Sequence, residues 1–110
     1  MSFAHRHALP DGTVLNYQID GPVDAPWVVF ANSVMTDLHI WKPQRDVLSE
    51  PFRILRYDQR GHGQSTAVST TASFETYGAD LLHLLEALEI KSFHFVGLSM
   101  GVPTGLALLA

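Results

Sequence analysis

Short apolar runs and polar breaks alternate along the chain, which predicts strands and helices in turn. Residues 27–31 (WVVFA) are continuously apolar, as in a strand buried on both faces. Pro10-Asp11-Gly12 separates two alternating segments and predicts a hairpin turn. Five segments are predicted as strands: residues 3–9, 13–19, 27–31, 52–58 and 90–96.

Two segments have helical features. Residues 39–48 predict a helix whose first turn contains Pro43. The clearest helix runs from an N-cap at Ser73 to about Leu88. Its predicted apolar face consists of Phe74, Tyr77, Gly78, Leu81, Leu85 and Leu88.

Strands that alternate with helices predict an α/β fold with parallel pairing through right-handed crossovers. In such sheets the ligand chemistry lies beyond the carboxyl ends of the strands. Residues 32–37, residues 58–65 and the turn at Ser99 each follow a predicted strand. We therefore expect these three loops to meet at one edge of the sheet.

The last predicted strand runs into Gly97-Leu98-Ser99-Met100-Gly101, a Gly-x-Ser-x-Gly motif followed by a helical segment. This order is typical of a nucleophile elbow, in which a tight turn raises a serine above the sheet beside a helix N-terminus. A glycine and serine turn without chemistry is the alternative. A dinucleotide-binding loop needs glycine at position 99, and a phosphate-binding Walker loop needs a Gly-Lys-Ser/Thr ending, so both are excluded.

Composition narrows the function classes. The 110 residues are 46% hydrophobic and 16% charged, with a formal net charge of -4 and no basic run, which argues against nucleic-acid partners and anionic membranes. The chain has no cysteine, so disulfides and thiolate metal sites are excluded. It has no apolar run of about 18 residues. We expect a single domain in a soluble, cytoplasmic protein.

Three segments together resemble the α/β-hydrolases, and 3-oxoadipate enol-lactonases in particular. They are residues 31–41 (ANSVMTDLHIW), 55–65 (LRYDQRGHGQS) and 96–101 (VGLSMG). The resemblance implies that residues 1–110 form a single partial core domain of that fold, with sheet order 1-2-4-3-5, ending just after the elbow. The C-terminal half and the cap segment would be absent, and the last strand would be an exposed edge.

The resemblance also implies roles for residues. Ser99 would attack an ester or lactone carbonyl, with the backbone N–H groups of Val34 and Met100 as the oxyanion hole. The specific expectation is enol-lactone hydrolysis in aromatic-compound degradation, on a small-molecule substrate and without a cofactor. Esterases and perhydrolases share the later two segments and remain alternatives. Haloalkane dehalogenases have aspartate at the Ser99 position and are disfavoured.

Other side chains have structural or binding interpretations. Met35 and Trp41 either line an acyl pocket or pack in the core. Asp58 and Arg60 are expected to fix their loop by hydrogen bonds, with a direct substrate contact as the alternative. We expect no metal site. The histidines are interpreted as a packed core residue (His94), a solvated helix residue (His83), a structural loop residue (His62) and two edge-strand residues (His5 and His7), with His39 unassigned.

Residues after Ser99 include neither an acid nor a histidine, whereas in this fold the triad runs Ser, acid, His along the chain. We therefore expect the 110 residues alone to be nearly inactive. A non-catalytic fragment or pseudoenzyme is the second function class. Val102 and Pro103 replace the second glycine that usually follows the motif, and Val102 is expected to add bulk where helix and strand pack.

Overall fold

The computed structural model describes residues 3–67 and 72–109, which form a five-stranded sheet between helices. All five predicted strands are present, and their ends differ from the predicted ones by at most three residues. The elements in chain order are β1 (Phe3–Ala8), β2 (Val14–Asp20), β3 (Trp27–Ala31), a 3-10 turn (Leu38–Trp41), α1 (Lys42–Leu48), β4 (Arg53–Tyr57), α2 (Phe74–Ala87), β5 (Phe93–Gly97) and α3 (Gly101–Leu109).

The sheet order is β1-β2-β4-β3-β5, which confirms the expected order. β2 pairs antiparallel with both β1 and β4, while β3 pairs parallel with β4 and with β5. The carboxyl ends of β3, β4 and β5 therefore lie at the same edge of the sheet. The three loops predicted to meet there leave the sheet at Ala31, Tyr57 and Gly97.

The central strands are buried on both faces, as the apolar run in β3 predicted. Val29 and Ala31 belong to the cluster that contains the apolar side of α2, whereas Val28 and Phe30 pack with Trp41 on the other face. Alternate residues of a strand point to opposite faces. The α2 side supplies Leu81, Leu84 and Leu85.

The helices differ from the predictions at their ends. Ser73 caps α2 through a capping box with Thr76, which confirms the predicted N-cap. Phe74 is 47% exposed, so the prediction that it lies on the packed face was wrong. The segment predicted as one helix over 39–48 is a 3-10 turn followed by α1, with Pro43 in the first turn of α1. A proline ring excludes an N–H donor at its own position but is tolerated in a first helical turn.

Within the described part of the chain, β5 lies at the edge of the sheet and pairs with β3 alone. Its side chains are half-buried or exposed, and Val96 is 37% exposed. His94 is exposed and touches the edge of the Phe52 ring. The interpretation of His94 as a packed core residue was therefore wrong, because its strand has no neighbour on one side.

No helix in the described ranges combines the length and the apolar character needed to cross a bilayer.

Candidate active site

Ser99 stands on a tight turn between the end of β5 and the start of α3. Its φ of 53° is in the left-handed region, and its side chain is exposed. For a residue with a Cβ this conformation costs roughly 1–2 kcal/mol. The fold therefore holds a serine in an unfavourable backbone conformation at the carboxyl edge of the sheet, as the motif predicted.

The two motif glycines make the turn possible. A Cβ on Gly97 would lie 2.7 Å from the carbonyl carbon of Gly101, and a Cβ on Gly101 would collide with the carbonyl oxygen of Ala31. That oxygen already accepts a hydrogen bond from Leu98 N at 3.1 Å. The backbone of α3 thus approaches β3 too closely for any side chain at position 101.

Val102, directly after the motif, lies in the first turn of α3. Val102 N donates to Ser99 O at 3.0 Å, and the Val102 side chain is 50% exposed. It lines an apolar cavity of about 210 Å³ together with Phe93, Phe95 and Leu106. Val102 therefore lies half exposed beside the contact between β5 and α3, and its effect on how helix and strand pack stays a prediction.

The two amides assigned to an oxyanion hole both lie next to turns with positive φ. Met100 follows Ser99, and Val34 precedes Met35, whose φ is 59°. Neither Val34 N nor Met100 N donates a hydrogen bond to another residue of the described ranges. Because these two N–H groups have no acceptor among the described residues, each can donate a hydrogen bond to an oxygen atom of a bound molecule.

Asn32 anchors the loop that contains Val34. Its Nδ2 donates to Tyr57 O at 2.7 Å, and its Oδ1 accepts from Trp41 Nε1 at 2.6 Å. Gln59 Nε2 donates to Asn32 O at 2.7 Å. Asn32 is fully buried, so all these bonds are shielded from water. The sequence interpretation did not assign this role to Asn32 or Gln59, although a polar residue directly after a buried strand was a signal.

Trp41 belongs to the same network rather than to an open pocket. It is 7% exposed, its ring packs on Phe30 with centroids 4.7 Å apart, and its indole N–H is bonded to Asn32. Of the two interpretations left open, the structure places Trp41 in the core beneath the loop. There it positions the Val34 segment.

The carboxylate of Asp58 links the loop after β4 to neighbouring segments of the chain by hydrogen bonds. Its Oδ1 accepts from Leu38 N at 2.7 Å, and its Oδ2 accepts from Gln64 N at 2.8 Å and Asn16 Nδ2 at 3.1 Å. Gly63, with φ 51°, lies so close that a Cβ there would collide with the Asp58 carboxylate. The expectation that Asp58 fixes its loop is confirmed by these contacts.

Arg60 links the same loop to α2 and to the turn between β1 and β2 by hydrogen bonds. It donates to both carboxylate oxygens of Asp80, at 2.7 and 2.9 Å, and to Asp11 Oδ2 at 2.9 Å. Hydrogen bonding to Asp80, with a smaller contribution from Asp11, raises the pKa of Arg60. A bidentate pair of this kind is strong and directional, so Arg60 is a positioning residue for the loop, as expected.

A cavity of about 340 Å³ opens between the loops that follow β3 and β4. Met35, 90% exposed, lines it with His62. His62 Nδ1 lies 3.1 Å from Arg60 O, and because a carbonyl oxygen can only accept, Nδ1 is the donor of this hydrogen bond. The remaining lining residues are Thr36, Asp37, Gly61 and Gly63.

The other histidines depart in part from their interpretation. His83, expected to be solvated, is half-buried and bonded to His7. His39 Nδ1 lies 3.1 Å from Asp37 Oδ1, and His5 stacks on Tyr17. The described residues contain no group of three or more histidine, aspartate or glutamate side chains placed to hold a metal ion.

Comparison with known proteins agrees with this geometry. The model of a family described as alpha/beta hydrolase fold matches residues 26–110. The chain is 45% identical to 3-oxoadipate enol-lactonase 1 of Acinetobacter baylyi over 95 residues, which is 86% of this chain and 35% of that protein. It thus spans about a third of the length of this curated relative.

Solved structures show the same relationship. An enol-lactonase from Burkholderia xenovorans superposes with a TM-score of 0.89 and 47% identity over 94% of this chain and 40% of that one. A hydrolase from Pseudomonas aeruginosa superposes with a TM-score of 0.91 and 41% identity over 96% of this chain and 40% of its own.

Proposed function

The chain belongs to the alpha/beta hydrolase family, and from that premise we propose that it carries the nucleophile of a serine hydrolase acting on carboxylic esters or lactones. The observation that carries the proposal is the exposed Ser99 at φ 53° between β5 and α3. Catalytic nucleophiles are held in strained turns of this kind. The proposed substrate is an enol-lactone in aromatic-compound breakdown, supported by the enol-lactonases among the similar proteins.

The proposed reaction begins with attack of Ser99 Oγ on the lactone carbonyl carbon. A general base takes the hydroxyl proton, and the amides of Val34 and Met100 stabilise the negative oxygen of the tetrahedral intermediate. Collapse of the intermediate breaks the C–O bond of the lactone ring. The base returns its proton to the released oxygen, and the resulting enol tautomerises to a ketone. Water then hydrolyses the acyl-serine and regenerates Ser99.

In this fold the base and its orienting acid follow the nucleophile along the chain, and residues 100–110 contain no acid and no histidine. A triad enzyme without its base loses on the order of a millionfold in turnover. We therefore propose that residues 1–110 alone are nearly inactive and that the whole protein is active.

The test joins residues 1–110 to the C-terminal part of the Acinetobacter baylyi enol-lactonase that follows the matched region. We expect a fluorophosphonate probe to label this fusion, and Ser99→Ala to abolish both labelling and enol-lactone hydrolysis. Ser92→Ala, an exposed serine just before β5, is the matched control and should change neither.

The outcomes separate the two function classes. A folded fusion that is not labelled at Ser99 would contradict the hydrolase proposal and favour a non-catalytic fragment. A fusion that is labelled at Ser99 and hydrolyses simple esters but not enol-lactones would retain the serine hydrolase and overturn only the substrate.

A further inference from the structure

Two histidines that are far apart in the sequence are in contact between β1 and α2. His7 Nε2 of β1 lies 2.8 Å from His83 Nδ1 of α2, and the ring centroids are 5.0 Å apart at an interplanar angle of 39°. Both side chains are half-buried. The pair connects the edge strand β1 to the long helix across 76 residues of sequence.

At least one of the two rings is neutral, because a nitrogen–nitrogen hydrogen bond needs a lone pair on one partner. Burial, and secondarily the neighbouring His83, lower the pKa of His7. The 2.8 Å separation itself requires that the two facing nitrogens share a single proton. A neutral imidazole nitrogen is the form that binds metal ions.

We propose that His7 and His83 form a binding site for a divalent late transition metal ion, which replaces the shared proton and clips β1 to α2. Metal–nitrogen bonds of about 2.0–2.1 Å in tetrahedral geometry place two ligand nitrogens roughly 3.3 Å apart, so the two rings need to separate by only about half an ångström from the observed 2.8 Å. The displaced proton moves to the far nitrogen of its own ring or to solvent, so both facing nitrogens present a lone pair to the metal ion.

The surroundings favour a cation. His83 lines a groove of about 480 Å³ that also contains Asp11, Asp80, Glu75 and Arg60. Three carboxylates outnumber one guanidinium there, and Asp11 and Asp80 are both bonded to Arg60. The remaining coordination positions are left to water, and the imidazole ligands select Cu²⁺, Ni²⁺ or Zn²⁺ over Mg²⁺.

The test is a calorimetric titration of the 110-residue chain with Zn²⁺ at pH 7.5. We expect one site in the wild type, and at least tenfold weaker binding in His7→Gln and in His83→Gln. His5→Gln removes a histidine two residues away on the same strand and should leave the affinity unchanged, and Mg²⁺ should not bind. β1 and β5 are opposite edges of the sheet, so association through β5 leaves the pair accessible.

Equal Zn²⁺ affinity in the wild type and both single variants, or an equal loss in His5→Gln, would overturn the proposal. If a variant fails to fold, the ring nitrogen resonances of the wild-type chain decide. Zn²⁺ should shift His7 Nε2 and His83 Nδ1 together. Shifts confined to the other histidines would show that the pair is only a hydrogen bond.

Discussion

The Cα of Gly101 lies against the carbonyl group of Ala31, with no room for a methyl group between them. The first turn of α3 is thereby held directly above the end of β3, from which the Val34 loop departs. The turn that carries Ser99 is thus held by backbone contacts against the end of the strand that precedes the Val34 loop.

Gly101→Ala should disrupt this contact. The new Cβ would meet backbone atoms of Ala31, which cannot rotate away, so we expect a loss of about 1–3 kcal/mol in the free energy of unfolding. Because α3 must shift, labelling of Ser99 in the fusion should also fall. Urea denaturation and probe labelling measure the two effects, and the exposed neighbour Val102→Ala should change stability by less than about 0.5 kcal/mol. Unchanged stability in Gly101→Ala would contradict the contact.

Ser99→Gly should make the protein more stable and inactive. Glycine adopts φ 53° without the Cβ penalty, so we expect a gain of about 1 kcal/mol in the free energy of unfolding, together with complete loss of probe labelling. Ser92→Gly is the control, since Ser92 is not among the residues with positive φ, and it should give no gain. If Ser99→Gly is less stable than the wild type, the turn is not strained.

Asp80→Asn should be strongly destabilising. The substitution keeps the shape of the side chain but leaves the buried Arg60 with a single carboxylate partner, Asp11. Because Asp11 remains as a partner and the asparagine oxygen still accepts one hydrogen bond, we expect a loss of about 1–3 kcal/mol in the free energy of unfolding. Asp46→Asn weakens solvent-exposed ion pairs with Lys42 and Arg45 and should be much less destabilising than Asp80→Asn, because exposed pairs contribute little. Thermal or urea unfolding distinguishes them, and equal losses would show that Arg60 does not brace the loop.

Acidification should weaken the fold through His7. Burial, and to a smaller extent His83, lower its folded pKa below the ordinary value of 6.5, so the unfolded chain binds the proton more readily. The stability that this provides is present above pH 6.5 and is lost as the pH falls through the folded pKa. His7→Gln should therefore flatten the decline in urea midpoint between about pH 7.5 and 5, whereas His94→Gln, which leaves the pair with His83 intact, should not. If the urea midpoint of His7→Gln falls with pH as steeply as that of the wild type, this account is contradicted.

Features written in contiguous residues were predictable. The elbow follows from two glycines around Ser99, the cap of α2 follows from Ser73, and the burial of β3 follows from its unbroken apolar run. In each case the decisive interactions are made within a few residues along the chain, so the local pattern contains them.

Contacts between distant residues were decided by the tertiary structure. The indole N–H of Trp41 donates to Asn32, and Arg60 donates to Asp80 and Asp11. His83 is hydrogen-bonded to His7. His94 is exposed because β5 lies at an edge of the sheet. The sequence by itself determined which turn carries the serine and which strands are buried, because these depend on backbone geometry and periodicity. Only the packed sheet and helices determined which polar side chains face one another, because residues far apart in sequence meet only when the chain has folded.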